Sequence, residues 1–153
     1  MSTKETLRDA VLGAWDLVSY TIEDSPSGNT TYPLGPDPVG LIMYTEDGYM
    51  SAQLMRSDRS TTAPSGSPGE TAAAAESAFA TGYLAYSGPF QVDEATGTLY
   101  HQVIVSLFPK WLGSTQLRCS HLEGDNLTLS GSNTSADGVT STHTLLWKRA
   151  PRH

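Results

Sequence analysis

The sequence predicts an all-β fold: an up-and-down antiparallel barrel of about eight strands with one inserted helix. Two observations carry that prediction. Short runs rich in β-branched and aromatic residues recur along the chain, separated by turn-forming clusters for which 14 Gly and 9 Pro are available. A single alanine-rich run interrupts them. At 153 residues the chain is long enough for one domain, spanning 1–153, with a sizeable core or a cavity.

The opening stretch, Met1 to Gly13, is amphipathic, with Lys4, Glu5, Arg8 and Asp9, and is read as a first helical turn over 3–12. It lacks the apolar run of a signal peptide, and a cytoplasmic location is the expectation. Trp15 to Ile22 (WDLVSYTI) reads as the first strand. Asp24 to Asn29 is a turn cluster, and three prolines in Tyr32 to Pro38 forbid regular ladder bonding there. Gly40 to Tyr44 and Tyr49 to Met55 flank Thr45-Glu46-Asp47-Gly48, and an Asp-Gly pair between two such runs is a strong hairpin signal. The polar, Pro/Gly/Ser-rich segment 57–69 reads as a flexible loop, and 70–81 as the helix, closed by Gly82. Four runs follow, over 83–92, 98–108, 114–122 and 126–130, and 139–148 forms the closing strand.

A two-sheet sandwich has a similar strand count. Face arithmetic favours the barrel: Ser141, His143, Leu145, Trp147 and Arg149 share one face of the last strand, and Trp15, Leu17 and Ser19 share one face of the first. With both tryptophans inward, the interior mixes aromatic, aliphatic and polar groups, as a cavity lining does. On that phase Val18, Tyr20 and Ile22 fall outside, an apolar stripe for the helix or a second subunit to cover. A monomer or homodimer is expected.

Composition excludes several function classes. A net charge of −7 disfavours nucleic acid and anionic membrane as partners. No segment reaches the ~20 apolar residues of a membrane-spanning helix. The lone cysteine, Cys119, cannot form an internal disulfide and is expected to be a buried, inert thiol. There is no G-x-S-x-G, Walker A, G-x-G-x-x-G or H-E-x-x-H motif, and no carboxylate pair on a strand face. His101, His121, His143 and His153 lack the spacing of a helical metal pair, so neither metal nor cofactor is expected.

Gly13-Ala14-Trp15, with Arg149 at the end of the last strand, resembles the G-x-W signature and the stacked basic residue of lipocalin and calycin barrels. A longer similarity is to the bacterial lipocalin-like domain family. It runs through Leu12 to Tyr20, Tyr32 to Pro36, Gly40 to Tyr44 and Gly48 to Ala52, then Val105 to Pro109, Trp111, Gly113, Gln116 and Arg118. The resemblance implies a lipocalin-like barrel of eight or slightly more strands around a small apolar or amphipathic molecule. It also implies a choice between simple binders and cofactor-independent cyclases or isomerases of secondary metabolism.

The chemistry-bearing residues are polar groups on otherwise apolar strand faces. His101 shares a face with Val103, Val105 and Leu107, and Gln116 with Arg118 and Ser120. A fixed cation, an amide and an imidazole in one interior suit a carboxylate, an enolate or a polarised carbonyl. Arg118 would bind the anion, and His101 or His143 would transfer a proton. Tyr44, Gln53, Met55, Tyr86 and Trp111, with Gln116, are the candidate lining residues. The function expected is binding of a polyketide- or terpenoid-like metabolite in the cavity, with a cyclase or isomerase acting on such an intermediate as the alternative.

Overall fold

The computed structural model describes residues 5–58 and 82–153. The expected helix over 70–81 and most of the 57–69 loop lie outside the described residues. Those described form α1 (Leu7–Val11), β1 (Gly13–Ser25), β2 (Thr30–Thr31), β3 (Val39–Tyr44), β4 (Tyr49–Met55), β5 (Tyr83–Asp93), β6 (Thr98–Gln102), β7 (Val105–Ser106), β8 (Thr115–Glu123), β9 (Asn126–Thr134) and β10 (Thr140–Arg149). A 3₁₀ turn, Pro109–Trp111, precedes β8.

The strands form one antiparallel sheet that closes on itself. Eight of them follow one another as β1-β3-β4-β5-β6-β8-β9-β10, and β10 pairs back onto β1. The short strands β2 and β7 attach to the outside of this order, on β1 and β5. Closure removes the sheet edges that would otherwise expose unpaired amides. The 45–48 hairpin forms as expected, with the Thr45 amide donating to Tyr49 O at 2.8 Å.

One half of the barrel is solid. Trp15, Leu99 and Leu127 are buried there with Tyr44, Met50 and Phe90. The helix α1 lies against this half, its N-terminus capped by Thr6, whose Oγ1 accepts from the Asp9 amide at 3.1 Å. Glu94 also accepts from the Leu7 and Arg8 amides, at 2.7 and 3.1 Å. The Trp15 indole N–H donates to Val11 O at 2.9 Å, which seats α1 on the barrel.

Two departures from strict alternation reshape the interior. A bulge between Leu17 and Ser19 shifts the β1–β10 register by one residue. Val18 stays outside, but Tyr20 and Ile22 come opposite Leu145 and His143 and turn inward, which corrects the expectation that both face out. The run expected over 98–108 also breaks after Gln102. The chain crosses to β5, and Val105 and Leu107 end exposed rather than sharing the inner face of His101. Gly88 on β5 makes room for that crossing, because a Cβ there would stand 1.7 Å from Gln102 O.

Candidate functional site

The other half of the barrel holds a cavity of ≈ 470 Å³. Its apolar wall comes from inward positions of β3, β4, β5, β9 and β10, among them Ile42, Leu54, Leu84, Leu129 and Leu145. Its polar lining includes Tyr20, Tyr86, Gln116, Arg118, Asn133 and His143. A concave hollow with convergent polar groups is the usual form of a small-molecule site. Trp111 closes one side, its ring edge-to-face on Tyr86 with centroids 5.6 Å apart.

Arg118 is the electrostatic centre. Strand alternation on β8 turns it inward with Gln116, while Leu117 and Cys119 face out. Its guanidinium donates to Leu117 O at 2.9 Å and to Gln116 Oε1 at 3.3 Å, and Gln116 is itself held by Ser114 at 3.1 Å. Gly131 on β9 gives the guanidinium space, since a Cβ there would lie 3.3 Å from Arg118 Nη1. Among the described residues no carboxylate forms an ion pair with it.

Two histidines flank this cation, each held by tyrosine. Tyr20 Oη and His143 Nδ1 are 2.8 Å apart on the cavity wall. Burial lowers the His143 pKa and the Arg118 charge lowers it further, with Asp24 opposing. Burial raises the pKa of Tyr20, against the pull of Arg118, so this phenol keeps its proton.

His101 lies behind the wall. It is fully buried, with Tyr44 Oη 2.8 Å from Nε2 and Tyr86 Oη 2.8 Å from Nδ1. The expectation that His101 faces the cavity as a proton-transfer group is therefore corrected: the two tyrosines enclose its ring, and only Tyr86 reaches the hollow. Burial, then Arg118, pushes the His101 pKa down to about 3, so the imidazole is neutral at pH 7 and carries a single N–H.

Hydrogen-bond accounting places that proton. Tyr44 is buried, keeps its proton because burial raises its pKa strongly, and among the described residues has only His101 Nε2 within hydrogen-bonding distance of its hydroxyl. If Nε2 carried the hydrogen, the Tyr44 O–H would be left unpaired in the core, at a cost of about 1–3 kcal/mol. Tyr44 therefore donates to Nε2, and His101 Nδ1–H donates to Tyr86 Oη. Trp147 supplies another donor without a partner: its Nε1–H is buried and unbonded among the described residues, and its side chain lines the cavity.

Of the lining residues expected from sequence, Tyr86, Trp111 and Gln116 are at the cavity and Tyr44 is one shell behind it. Gln53 and Met55 are not inside. They lie on the opposite face of β4 from the inward Met50, Ala52 and Leu54, in an outer groove with Val39, Leu41 and Met43, where Gln53 accepts from the Tyr83 hydroxyl. Cys119 is exposed, not buried, because it alternates with the inward Arg118. Tyr20 and Asn133 were not expected: the bulge hid the first, and the second lies on a β9 that runs to Thr134 instead of stopping at Ser130. The alternation Leu127, Leu129, Gly131, Asn133 was the available signal for the latter.

Among the described residues, no group of His, Cys, Asp and Glu is arranged to hold a metal ion. Among them, too, no helix is long and apolar enough to cross a membrane.

A closed eight-stranded barrel with a partly polar hollow is a lipocalin-type architecture. The chain matches the family described as "Lipocalin-like domain" over residues 12–150, and it belongs to that family. It is also similar to the "4'-hydroxy-3'-methoxypropiophenone carrier protein ppsC" of Aspergillus oryzae, 38% identical over 77 residues that cover 46% of this chain and 69% of that protein. No solved structure matches the chain.

Proposed function

We propose that the protein binds a small apolar or amphipathic metabolite of polyketide or terpenoid type in the barrel cavity and acts as its carrier. The observation behind this reading is the ≈ 470 Å³ hollow, whose wall joins apolar side chains to a polar cluster around Arg118. The similarity to a protein described as a propiophenone carrier supports the same reading. Native mass spectrometry of freshly purified protein should find a retained small molecule. Thermal unfolding with 4'-hydroxy-3'-methoxypropiophenone and other aryl or terpenoid ketones should show a rise in Tm that grows with ligand concentration. No retained mass and no shift with any of them would overturn the reading.

The Tyr20–His143 pair favours a second reading, a cofactor-independent cyclase or isomerase acting on such an intermediate. A neutral imidazole on a cavity wall is chemically able to move a proton, and confinement of the substrate would supply part of the rate. Product analysis after incubation with the retained molecule decides between the two: an altered mass or chromatographic position indicates turnover, and unchanged ligand indicates carriage.

A further inference from the structure

We infer that Tyr86, backed by His101 and flanked by Arg118, is a recognition point for a proton-free oxygen, so that the ligand docks with a carbonyl, or the enolate of that carbonyl, against the Tyr86 O–H. This rests on the reading of the cavity as a ligand site and adds the chemical class of what it holds.

Tyr86 Oη accepts from His101 Nδ1–H. A phenol oxygen that accepts one hydrogen bond still carries its own O–H. That hydrogen cannot point at the His101 donor. Among the described residues its only other close ring neighbour is Trp111, whose edge-to-face contact offers no oxygen acceptor. Tyr86 lines the cavity, so its O–H is an unclaimed donor at the hollow.

Arg118 brings more of the same polarity. Its bonds to Leu117 O and Gln116 Oε1 occupy Nη1–H and Nη2–H donors of a group that has five N–H bonds. Both Tyr86 and Arg118 therefore offer hydrogens to this part of the hollow, and the matching ligand atom is an oxygen with lone pairs and no proton of its own. A ligand hydroxyl would have to accept there and find an acceptor elsewhere. The buried Tyr44–His101 pair gives the arrangement its direction, because it holds the imidazole proton on the side of Tyr86.

The test uses 2-acetylnaphthalene and 2-isopropenylnaphthalene, which have nearly the same shape but place C=O and C=CH₂ at the same point. Titrations followed by tryptophan fluorescence should show the ketone binding about tenfold more tightly than the alkene. Tyr86→Phe should remove most of that preference and leave alkene affinity unchanged. The infrared carbonyl stretch of the bound ketone should lie at lower frequency in the wild-type protein than in Tyr86→Phe. Nitrogen-15 spectra of the wild-type protein should show His101 protonated on Nδ1, a readout that does not depend on the variant folding. An Nε2–H tautomer, or equal affinities for the two probes with an unshifted carbonyl band, overturns this inference while the cavity reading stands. Failure of both probes to bind, together with no retained mass and no ligand-dependent Tm shift, overturns both.

Discussion

The guanidinium of Arg149 lies 4.1 Å from the centre of the Trp15 indole, across the seam where β10 pairs with β1 and closes the barrel. The same guanidinium donates to Leu12 O at 3.2 Å and to Ala10 O at 2.8 Å, joining the seam to the end of α1. Asp125 lies 3.8 Å from Arg149 Nε. Stacking of this kind contributes ~0.5–2 kcal/mol, and each hydrogen bond adds roughly 0.5–1.5 kcal/mol.

Arg149→Met should therefore lower stability by about 2–4 kcal/mol, read as a lower urea midpoint and a Tm reduced by several degrees. Ligand affinity should persist, since Arg149 does not line the cavity. An unchanged midpoint would mean that closure does not depend on this contact.

Gly88→Ala should be far more damaging than its single methyl suggests. The new Cβ would meet the Gln102 carbonyl oxygen at 1.7 Å and the Ile104 amide nitrogen at 3.2 Å, and both are backbone atoms that cannot rotate away. Separation of β6 and β7 from β5 should cost upwards of about 3 kcal/mol. The measurements are soluble yield and thermal unfolding, and a variant that expresses and melts like the parent would contradict this packing.

Stability should fall with acid before the carboxylates titrate. The His101 pKa is about 3 in the folded chain and roughly 6.5 when unfolded, so between those values only the unfolded state binds the proton. His101 thus contributes its full stabilisation above pH ~6.5 and loses it progressively as pH falls toward 3. Between pH 7 and 5 the loss should be about 2 kcal/mol from this group, and His143, also shifted down, adds in the same direction. Urea titrations at several pH values should show the slope, and His101→Gln should flatten it even if that variant is less stable overall.

Arg118→Gln should raise the pKa of His143, because the cation is the second cause of its lowering after burial. The value should stay below that of a free histidine, since burial remains. A proton NMR titration of the imidazole resonances measures both, and an unmoved His143 would place Arg118 too far away to act on it.

The inward phase of β8 and β10 was legible from local sequence. Gln116 and Arg118 alternate with Leu117 and Cys119, and His143, Leu145 and Trp147 fall on one face, so a period of two placed these side chains correctly. The same rule applied to β4 points Met50, Ala52 and Leu54 inward, and Gln53 and Met55 are accordingly outside. Gln53 and Met55 have side chains suited to a ligand wall, but they stand on the outer face of β4.

By itself the sequence pointed to the eight strands of the barrel, the 45–48 hairpin, the Trp15–Arg149 closure suggested by resemblance, and the shared face of Gln116 and Arg118 on β8. Only the tertiary structure decided that Tyr20 turns inward, that β6 stops at Gln102, and that His101 stands behind Tyr86 instead of facing the ligand. The reason is physical. Alternation is a local property of an extended chain, whereas a bulge or a strand crossing is set by the register of partners far away in sequence. For His101 the deciding partner is Tyr44, 57 residues away along the chain.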